Sequence, residues 1–326
     1  MNNTRNDVAL SEVVGFVLLL GLIIAALSLY MTYVVPISGR EAEIAHMNRI
    51  NDQFTDYKFT LDNIRTSLLV NNLSPPMTST SITLGTGGGN TLAGGLFAYL
   101  TNPVPSPATL SVVSTGDTFN IDSSTRQLYK NNPAFPVITE FPMNITVLQY
   151  SSNNNYWIQQ NYYYELGGVF LSQSDGVTNL ISPLISFTNA ANNSVVVNIV
   201  PVQVIGGGSM SGNGPVRVDT RQRILPKYNI STDYYLQNKW VNLSFTSSNN
   251  ATAATWLKIF NATAARGNLD GNARRTGSIW NGNSQTTTVF INITATNSDP
   301  NWPDVSLYVQ RAEYYVAFNN IAPGVA

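Results

Sequence analysis

The 326-residue sequence contains no cysteine and only one histidine, His46. The absence of cysteine excludes disulfides, thiolate nucleophiles and Cys-ligated metals. A single histidine excludes a His-rich metal site, and its position near the N-terminus excludes a His-based catalytic triad in the rest of the chain. We therefore expect neither a bound metal nor a cofactor.

Charge is also scarce in this sequence. Only 11% of the residues are charged, whereas charged residues make up about 25% of an ordinary soluble domain. The net charge of -1 leaves no basic footprint for nucleic acid, so nucleic acid is not an expected partner. Asn, Ser, Thr and Tyr supply the polarity instead, and they favour strands and turns over exposed helices.

No catalytic motif is visible. The glycine-rich stretches 85–89 and 206–214 lack the Lys-Ser/Thr of a phosphate-binding loop and are better interpreted as hairpin turns. Two carboxylates could meet in space as a glycosidase pair, but no local spacing proposes which two, and we expect no enzyme activity. The scattered candidates are Asp117, Asp122, Glu140, Glu165, Asp175, Asp219, Asp233, Asp270, Asp299, Asp304 and Glu313.

One long apolar run stands near the N-terminus. Residues 13–35 are almost wholly apolar, and no charged residue occurs between Val13 and Gly39. About 20 apolar residues cross the hydrocarbon layer of a membrane, whereas the apolar part of a secretory signal has about 7–15. The run predicts a single transmembrane helix over 10–37. The short polar N-terminus and the long Thr/Asn-rich remainder favour an extracytoplasmic location for the bulk of the chain.

A second helix is predicted after the apolar run. Pro36 and Gly39 are expected to interrupt the first helix, and Ser38 with Glu41 forms a capping box that restarts one, giving an amphipathic stalk helix over 38–72. Its apolar residues recur every three or four positions, and such a seam must be buried against a partner's helix or against the protein's own β domain. The seam residues are Met47, Ile50, Phe54, Tyr57, Leu61, Ile64 and Leu68.

Residues 75–326 alternate short apolar runs with Gly, Pro, Asn and Ser clusters, as in a β-rich domain. We predict strands at 80–84, 95–100, 144–150, 162–171, 195–205, 241–245, 287–295 and 305–318, and one helix at 251–265. The fold class is therefore α+β: a long N-terminal transmembrane and stalk helix followed by a mainly antiparallel, sandwich-type β domain with one short accessory helix. Residues 75–326 could form either one elaborated sandwich or two sub-sandwiches, and the sequence does not decide between them.

The start of the apolar helix carries a resemblance. Residues 9–18, Ala-Leu-Ser-Glu-Val-Val-Gly-Phe-Val-Leu, resemble the N-terminus of archaeal type IV pilin-like proteins, especially pilin-like membrane proteins with a large C-terminal β domain. The resemblance implies that prepilin peptidase cuts between Ala9 and Leu10 and removes 1–9 as a leader. In a pilin-like assembly Glu12 would pair with a neighbouring subunit's terminal amine; the alternative is that Glu12 is a capping charge without a partner. The alternative is an uncut leader, because Asp7 and Val8 stand where the family usually has Lys or Arg.

Three functions stay open at this point. The leading hypothesis is a pilin-like structural or interaction protein of an archaeal cell surface, in the membrane or in a surface filament. Its expected partners are membrane lipid, prepilin peptidase, and other pilin-like subunits or copies of itself bound through the N-terminal helix. The first alternative is a membrane-tethered module that binds a glycan or a solute without polymerising. The second is a tethered hydrolase that uses two carboxylates.

Asn-X-Ser/Thr sequons suggest N-glycosylation as a further hypothesis. Three of them, at Asn144, Asn242 and Asn292, fall on the polar faces of alternating strands and are expected to be exposed. The full set is Asn144, Asn192, Asn229, Asn242, Asn250, Asn261 and Asn292.

Overall fold

A computed structural model describes residues 4–71, 77–87, 102–124, 141–190, 193–223, 236–269, 271–295 and 304–320. The fold is α+β, as predicted, with a long N-terminal helix and a mostly antiparallel β-rich domain that carries one short helix. The predicted strand at 95–100 lies outside the described residues.

The N-terminal helix is continuous, and the predicted break at Pro36 and Gly39 is wrong. Helix α1 spans Thr4–Leu29, a π-helical turn spans Tyr30–Val34, and helix α2 spans Val35–Asn71. Proline removes one backbone donor and its ring crowds the carbonyl four residues earlier. The π-turn ends two residues before Pro36, and the N–H of Val35 donates to Tyr30 O; this wider turn lets the helix continue through the proline.

The β domain contains seventeen strands in its described residues. They are β1 (Met77–Thr83), β2 (Ala108–Ser123), β3 (Met143–Ser152), β4 (Asn161–Glu165), β5 (Gly168–Gln173), β6 (Gly176–Ile181), β7 (Ile185–Asn189), β8 (Val195–Ile199), β9 (Val202–Gly206), β10 (Ser209–Gly212), β11 (Pro215–Gln222), β12 (Leu236–Asn238), β13 (Trp240–Ser247), β14 (Arg274–Asn281), β15 (Thr286–Thr294), β16 (Val305–Val309) and β17 (Ala312–Asn320).

These strands form three sheets. Sheet A has the order β1-β11-β17-β9, and sheet C has the order β12-β16-β8-β7. Sheet B has nine strands in the order β14-β15-β13-β2-β3-β4-β5-β6, with β10 beside β2. All pairings are antiparallel except β8 with β16 and β9 with β17, which are parallel.

Two predicted strands each divide between two sheets. The run 195–205 forms β8 in sheet C and β9 in sheet A, with Val200 and Pro201 between them. The run 305–318 divides in the same way into β16 and β17. The two segments pass from sheet C to sheet A side by side. The N–H of Gln310 donates to Ile199 O, and the N–H of Ala312 donates to Pro201 O.

The described part of the domain has two buried apolar clusters, and both include residues of sheet B. The α2 core packs side chains of α2 against sheet A and against the Leu148, Tyr162 and Tyr164 side chains of β3 and β4. The α3 core packs helix α3, Asn250–Arg266, against sheets B and C around Trp256.

Helix α3 lies within one residue of its predicted ends. Its N-terminus is capped by Asn249, whose side-chain oxygen accepts from the N–H groups of Ala251 and Thr252. At its C-terminus Gly267 N–H bonds to Thr263 O. A Cβ at Gly267 would lie 2.1 Å from Phe187 O, so only glycine permits this close approach of α3 to β7.

Candidate functional sites

No other described element packs against the N-terminal helix between Glu12 and Val34. Its side chains from Glu12 to Val34 are exposed, and the most apolar 18-residue window has a mean hydropathy of 2.7 with none of its residues buried. Among the described residues this is the one helix long and apolar enough to cross a membrane. Tyr30 and Tyr33 are also exposed, near the end of the apolar run, where aromatic side chains favour a membrane interface.

The second half of the helix is packed into the protein's own β domain. The seam residues Met47, Ile50, Phe54, Tyr57, Leu61 and Ile64 are all buried, and the Leu68 side chain lies outside the described residues. Phe54 and Tyr57 contact Tyr162 and Tyr164 of β4, with ring centroids 6.1 and 5.8 Å apart. The sequence left two possible partners open for the seam, a partner's helix and the chain's own β domain. In the structure the seam packs against the chain's own β domain.

Hydrogen bonds fix the register of α2 against sheet A. The Tyr57 hydroxyl lies 2.9 Å from Thr220 Oγ1 of β11, and both residues are fully buried. The Tyr314 hydroxyl of β17 donates to Leu61 O at 2.8 Å. A buried polar group is costly unless it is paired, so these two bonds oppose sliding of the helix along the sheet.

His46 links α2 to sheet B. Its Nε2 lies 2.9 Å from the Tyr150 hydroxyl, and that hydroxyl donates its one proton to Leu84 O at 2.6 Å. His46 Nε2 must therefore carry a proton and donate to the tyrosine oxygen, which assigns the tautomer. Burial lowers the pKa of His46, with a smaller contribution from the Arg49 charge, while a backbone hydrogen bond with Leu84 partly opposes this lowering.

Where the helix enters the body, the loop 153–159 between β3 and β4 wraps against it; we name this segment the exit loop. The buried carboxylate of Glu43 accepts from the N–H groups of Asn155 and Tyr156 at 2.7 and 2.9 Å, and also from the Ser106 hydroxyl. Hydrogen bonds to a charged acceptor are the stronger kind. Glu43 therefore binds the exit loop tightly to the helix.

Two aromatic side chains of the exit loop lie on the helix surface. The Tyr156 ring lies directly against Gly39, where a Cβ would be 2.5 Å from the ring. The Arg40 guanidinium stacks over the Trp157 ring at 4.5 Å from its centroid. Gly39, predicted as a helix breaker, is instead the position that admits this ring.

A separate acidic pocket lies beside sheet B. Its volume is about 370 Å³, within the range of small-ligand sites. Asp117 of β2 and Glu165 of β4 both line it, together with Gln149, Asn161, Ser172 and Asn249. Among the described residues that line the pocket there is no Lys, Arg or His, so the two carboxyl groups have no counter-charge there.

Both carboxyl groups of the pocket are perturbed. Burial raises the pKa of Glu165 to about 8; the hydrogen bond from Trp256 opposes this rise, and the nearby Asp117 charge adds to it. Burial also raises the pKa of Asp117, while hydrogen bonds from Ser247 and Thr115 oppose that rise. Glu165 is therefore largely protonated at neutral pH and can donate a hydrogen bond.

Tyr163 completes the pocket. Its ring stacks on Phe170 with centroids 5.2 Å apart, and its side chain is buried. Burial raises the pKa of this hydroxyl and the Thr252 side chain partly opposes that rise, but the hydroxyl makes no hydrogen bond of normal geometry to any described residue. The wall of the pocket thus contains a buried hydroxyl group with unused hydrogen-bonding capacity.

The residues of the acidic pocket are visible in the sequence, but their spatial arrangement is not. The predicted single strand 162–171 is two strands, β4 and β5, joined by a two-residue turn at Leu166 and Gly167, which both have positive φ. The turn places Glu165 at a strand end. The consecutive residues Gly167 and Gly168 are the signal that favours such a hairpin.

The sequons differ in accessibility. Asn144, Asn250 and Asn261 are exposed, whereas Asn192 and Asn229 lie outside the described residues. Asn242 and Asn292 are directly opposite each other on β13 and β15, and both are half-buried. Their side-chain oxygens are buried without a hydrogen-bond partner among the described residues, so the expectation of full exposure is wrong for these two.

The residues of the predicted processing site lie within α1. The backbone is helical through Ala9 and Leu10, and the Glu12 side chain is exposed. Cleavage and the pairing of Glu12 stay predictions. Within the described residues no group of three or more His, Asp or Glu side chains is arranged to hold a metal ion.

These features define an α+β chain with one candidate transmembrane helix and a β-rich body attached to the same helix. Comparison with protein-family models, with curated proteins and with solved structures gives no match to this chain.

Proposed function

We propose that this protein is a pilin-like structural or interaction protein of an archaeal cell surface, anchored or assembled through its N-terminal helix. One observation carries the proposal: a single continuous helix has an exposed apolar first half and a second half packed into the β domain. The apolar half of such a helix can contact lipid or the apolar helices of other subunits, while the packed half holds the β domain in a fixed orientation.

Two further features support the proposal. The opening Leu10-Ser11-Glu12-Val13-Val14-Gly15 resembles the mature N-terminus of pilin-like proteins. Glu12 is exposed on the helix and therefore available to a partner. If cleavage makes Leu10 the first residue, Glu12 lies in the first turn of the helix, where the helix dipole favours a carboxylate and the membrane interface tolerates one.

The mature N-terminus tests this proposal. Protein recovered from the membrane and from sheared surface material of producing cells is subjected to N-terminal sequencing. A chain that begins at Leu10 and appears in sheared filaments by electron microscopy supports assembly. A chain that begins at Met1 and never leaves the membrane contradicts assembly and leaves a static anchor.

A second function, a membrane-tethered module that binds a glycan or a solute, is favoured by the acidic pocket. Neutral hydrogen-bonding groups dominate its lining, Glu165 is largely a donor at neutral pH, and the Tyr163 hydroxyl makes no hydrogen bond of normal geometry to a described residue. This combination suits a polyhydroxylated ligand, because hydroxyl groups both donate and accept hydrogen bonds.

Fluorescence tests the second function, because Trp256 bonds directly to Glu165. The detergent-solubilised full chain is titrated with methyl glycosides of hexoses and N-acetylhexosamines. A saturable change in emission supports a sugar site if Tyr163→Phe and Asp117→Asn weaken the apparent affinity at least tenfold. The exposed control Asp175→Asn should leave that affinity unchanged. Emission that stays unchanged up to high millimolar glycoside contradicts a sugar site. Release of methanol from the methyl glycosides would instead indicate a hydrolase.

A further inference from the structure

We infer that the exit loop is a membrane-seating surface: its tip and the adjacent Val104 rest in the headgroup layer and hold the β domain upright on the bilayer. The inference rests on the proposed membrane anchoring of the helix and adds a second, independent contact between protein and lipid. It concerns the surface around the helix exit rather than the helix itself.

The position of the loop along the helix is the first argument. Residues 13–35 would be about 34 Å long at 1.5 Å per residue, enough for a hydrocarbon layer of about 30 Å. Gly39, against which the Tyr156 ring lies, is four residues further, or about 6 Å beyond that run. The headgroup layer on each side is about 5–7 Å thick. The loop therefore meets the helix at headgroup level.

The chemistry of the loop is the second argument. Val104 and Ile158 are exposed by 63% and 44%, although they lie on a body whose apolar side chains are otherwise mostly buried. Trp157 and Tyr156 are amphipathic aromatics, the residue types enriched at membrane interfaces. Arg40, stacked on Trp157, places a cation where lipid phosphates would lie.

The rigidity of the loop is the third argument. Glu43 binds its backbone to the helix, and Tyr156 Oη accepts from Val104 N–H at 3.0 Å. Within the loop, Asn154 Nδ2 donates to Ile158 O at 2.8 Å and Gln159 Nε2 donates to Asn154 O at 2.7 Å. The exposed apolar side chains are therefore held in place where the helix enters the body, and Ile37 of the helix is exposed as well.

The absence of cysteine makes the test direct, because one introduced cysteine is the only labelling site. The variants Val104→Cys and Ile158→Cys report on the loop, and Leu22→Cys reports on the helix. Ile279→Cys is the matched control, since Ile279 is an exposed apolar residue on β14. Each full-length variant carries an environment-sensitive fluorophore and is reconstituted into phosphatidylcholine–phosphatidylglycerol vesicles that contain a nitroxide at the headgroup or in the acyl chain.

We expect the headgroup nitroxide to quench the probes at 104 and 158 at least threefold more than the probe at 279, and the acyl-chain nitroxide to quench the probe at 22 most. If the probe at 22 is quenched while those at 104 and 158 behave like the one at 279, the seating surface is disproved and the anchor stands. If the probe at 22 is unquenched, the anchor itself is disproved. Blue-shifted but unquenched loop probes would mean that protein covers the loop, which also overturns the inference.

Discussion

The indole Nε1 of Trp256 donates a 2.7 Å hydrogen bond to Oε1 of Glu165, and both side chains are buried. Trp256 in turn stacks on Phe245 with centroids 4.8 Å apart, so the carboxyl group is bound to the centre of the α3 core. A buried carboxyl group is stable there only while it is neutral. The stability of this protein should therefore depend on pH through Glu165.

The first prediction concerns the sign of that dependence. The folded-state pKa of Glu165, about 8, is raised above its usual 4.5, so the folded chain binds more protons than the unfolded chain between these values. Stability is full below pH 4.5 and is lost as pH rises towards 8, by at most about 5 kcal/mol. We expect Glu165→Gln to match the wild type at pH 5 and to exceed it at pH 9 in urea denaturation. An equal pH dependence in both proteins would contradict the assignment, and Asp175→Asn is the exposed control.

The second prediction concerns the attachment of α2. Phe54 is fully buried in the α2 core, whereas Phe59, five positions along the same helix, is 54% exposed. We expect Phe54→Ala to reduce the unfolding free energy by about 3–5 kcal/mol. Phe59→Ala should change it by less than about 0.5 kcal/mol. Denaturation of both variants in the same detergent measures the difference, and similar losses would mean that α2 is not packed on the body as described.

The seam and helix α3 were predictable from the sequence because helical periodicity is local. Each seam residue has its nearest seam neighbour within four positions, and Asn249 caps α3 from one residue outside it. The continuity of the N-terminal helix was not predictable in this way. Pro36 carries the same helix-breaking signal whether or not a π-turn precedes it, and the π-turn has no sequence signature of its own.

The strand changes and the acidic pocket depend on contacts between distant parts of the chain. The run 195–205 predicts one central strand because it is apolar on both faces, yet Val197 and Val204 are buried in different cores. The long strand β2 was missed because its middle is rich in Ser, Thr and Gly, where a bulge shifts its register against β3. Asp117 lies within that bulge, between Ser114 and Thr118, so its approach to Glu165 is a result of tertiary pairing.

The third prediction concerns acid. Burial lowers the pKa of His46 in the folded chain, so the unfolded chain takes up a proton first as pH falls below 6.5. This contribution to stability is full above pH 6.5 and declines below it. Gln at position 46 can donate to the Tyr150 hydroxyl without titrating, so His46→Gln should lose less stability than the wild type between pH 6.5 and 4.5. Identical losses in the two proteins would exclude His46 as the cause.

The fourth prediction concerns the sequons. Asn144 is exposed on β3, whereas Asn242 and Asn292 are a cross-strand pair whose side chains are about 5 Å apart. We expect glycopeptide mapping of protein from producing cells to find glycan at Asn144 and never at Asn242 and Asn292 in the same molecule. Asn144→Gln should then lower the intact mass by one glycan. A molecule modified at both paired positions would contradict their described arrangement, and an intact mass without additions would dismiss glycosylation altogether.

The last prediction separates anchoring from assembly. Glu12 is exposed at the start of the apolar helix, and a carboxylate in that position gains from pairing with a terminal amine when the two are out of water. Glu12→Gln keeps the size and polarity of the side chain and removes its charge. We expect this variant to reach the membrane in wild-type amounts and to be at least tenfold depleted from sheared filaments. Glu41→Gln, a charge removal on α2 at another exposed residue, should leave both fractions unchanged. Wild-type filament yield with Glu12→Gln would exclude charge pairing at this position, whereas loss from the membrane fraction would show that Glu12 acts in insertion instead.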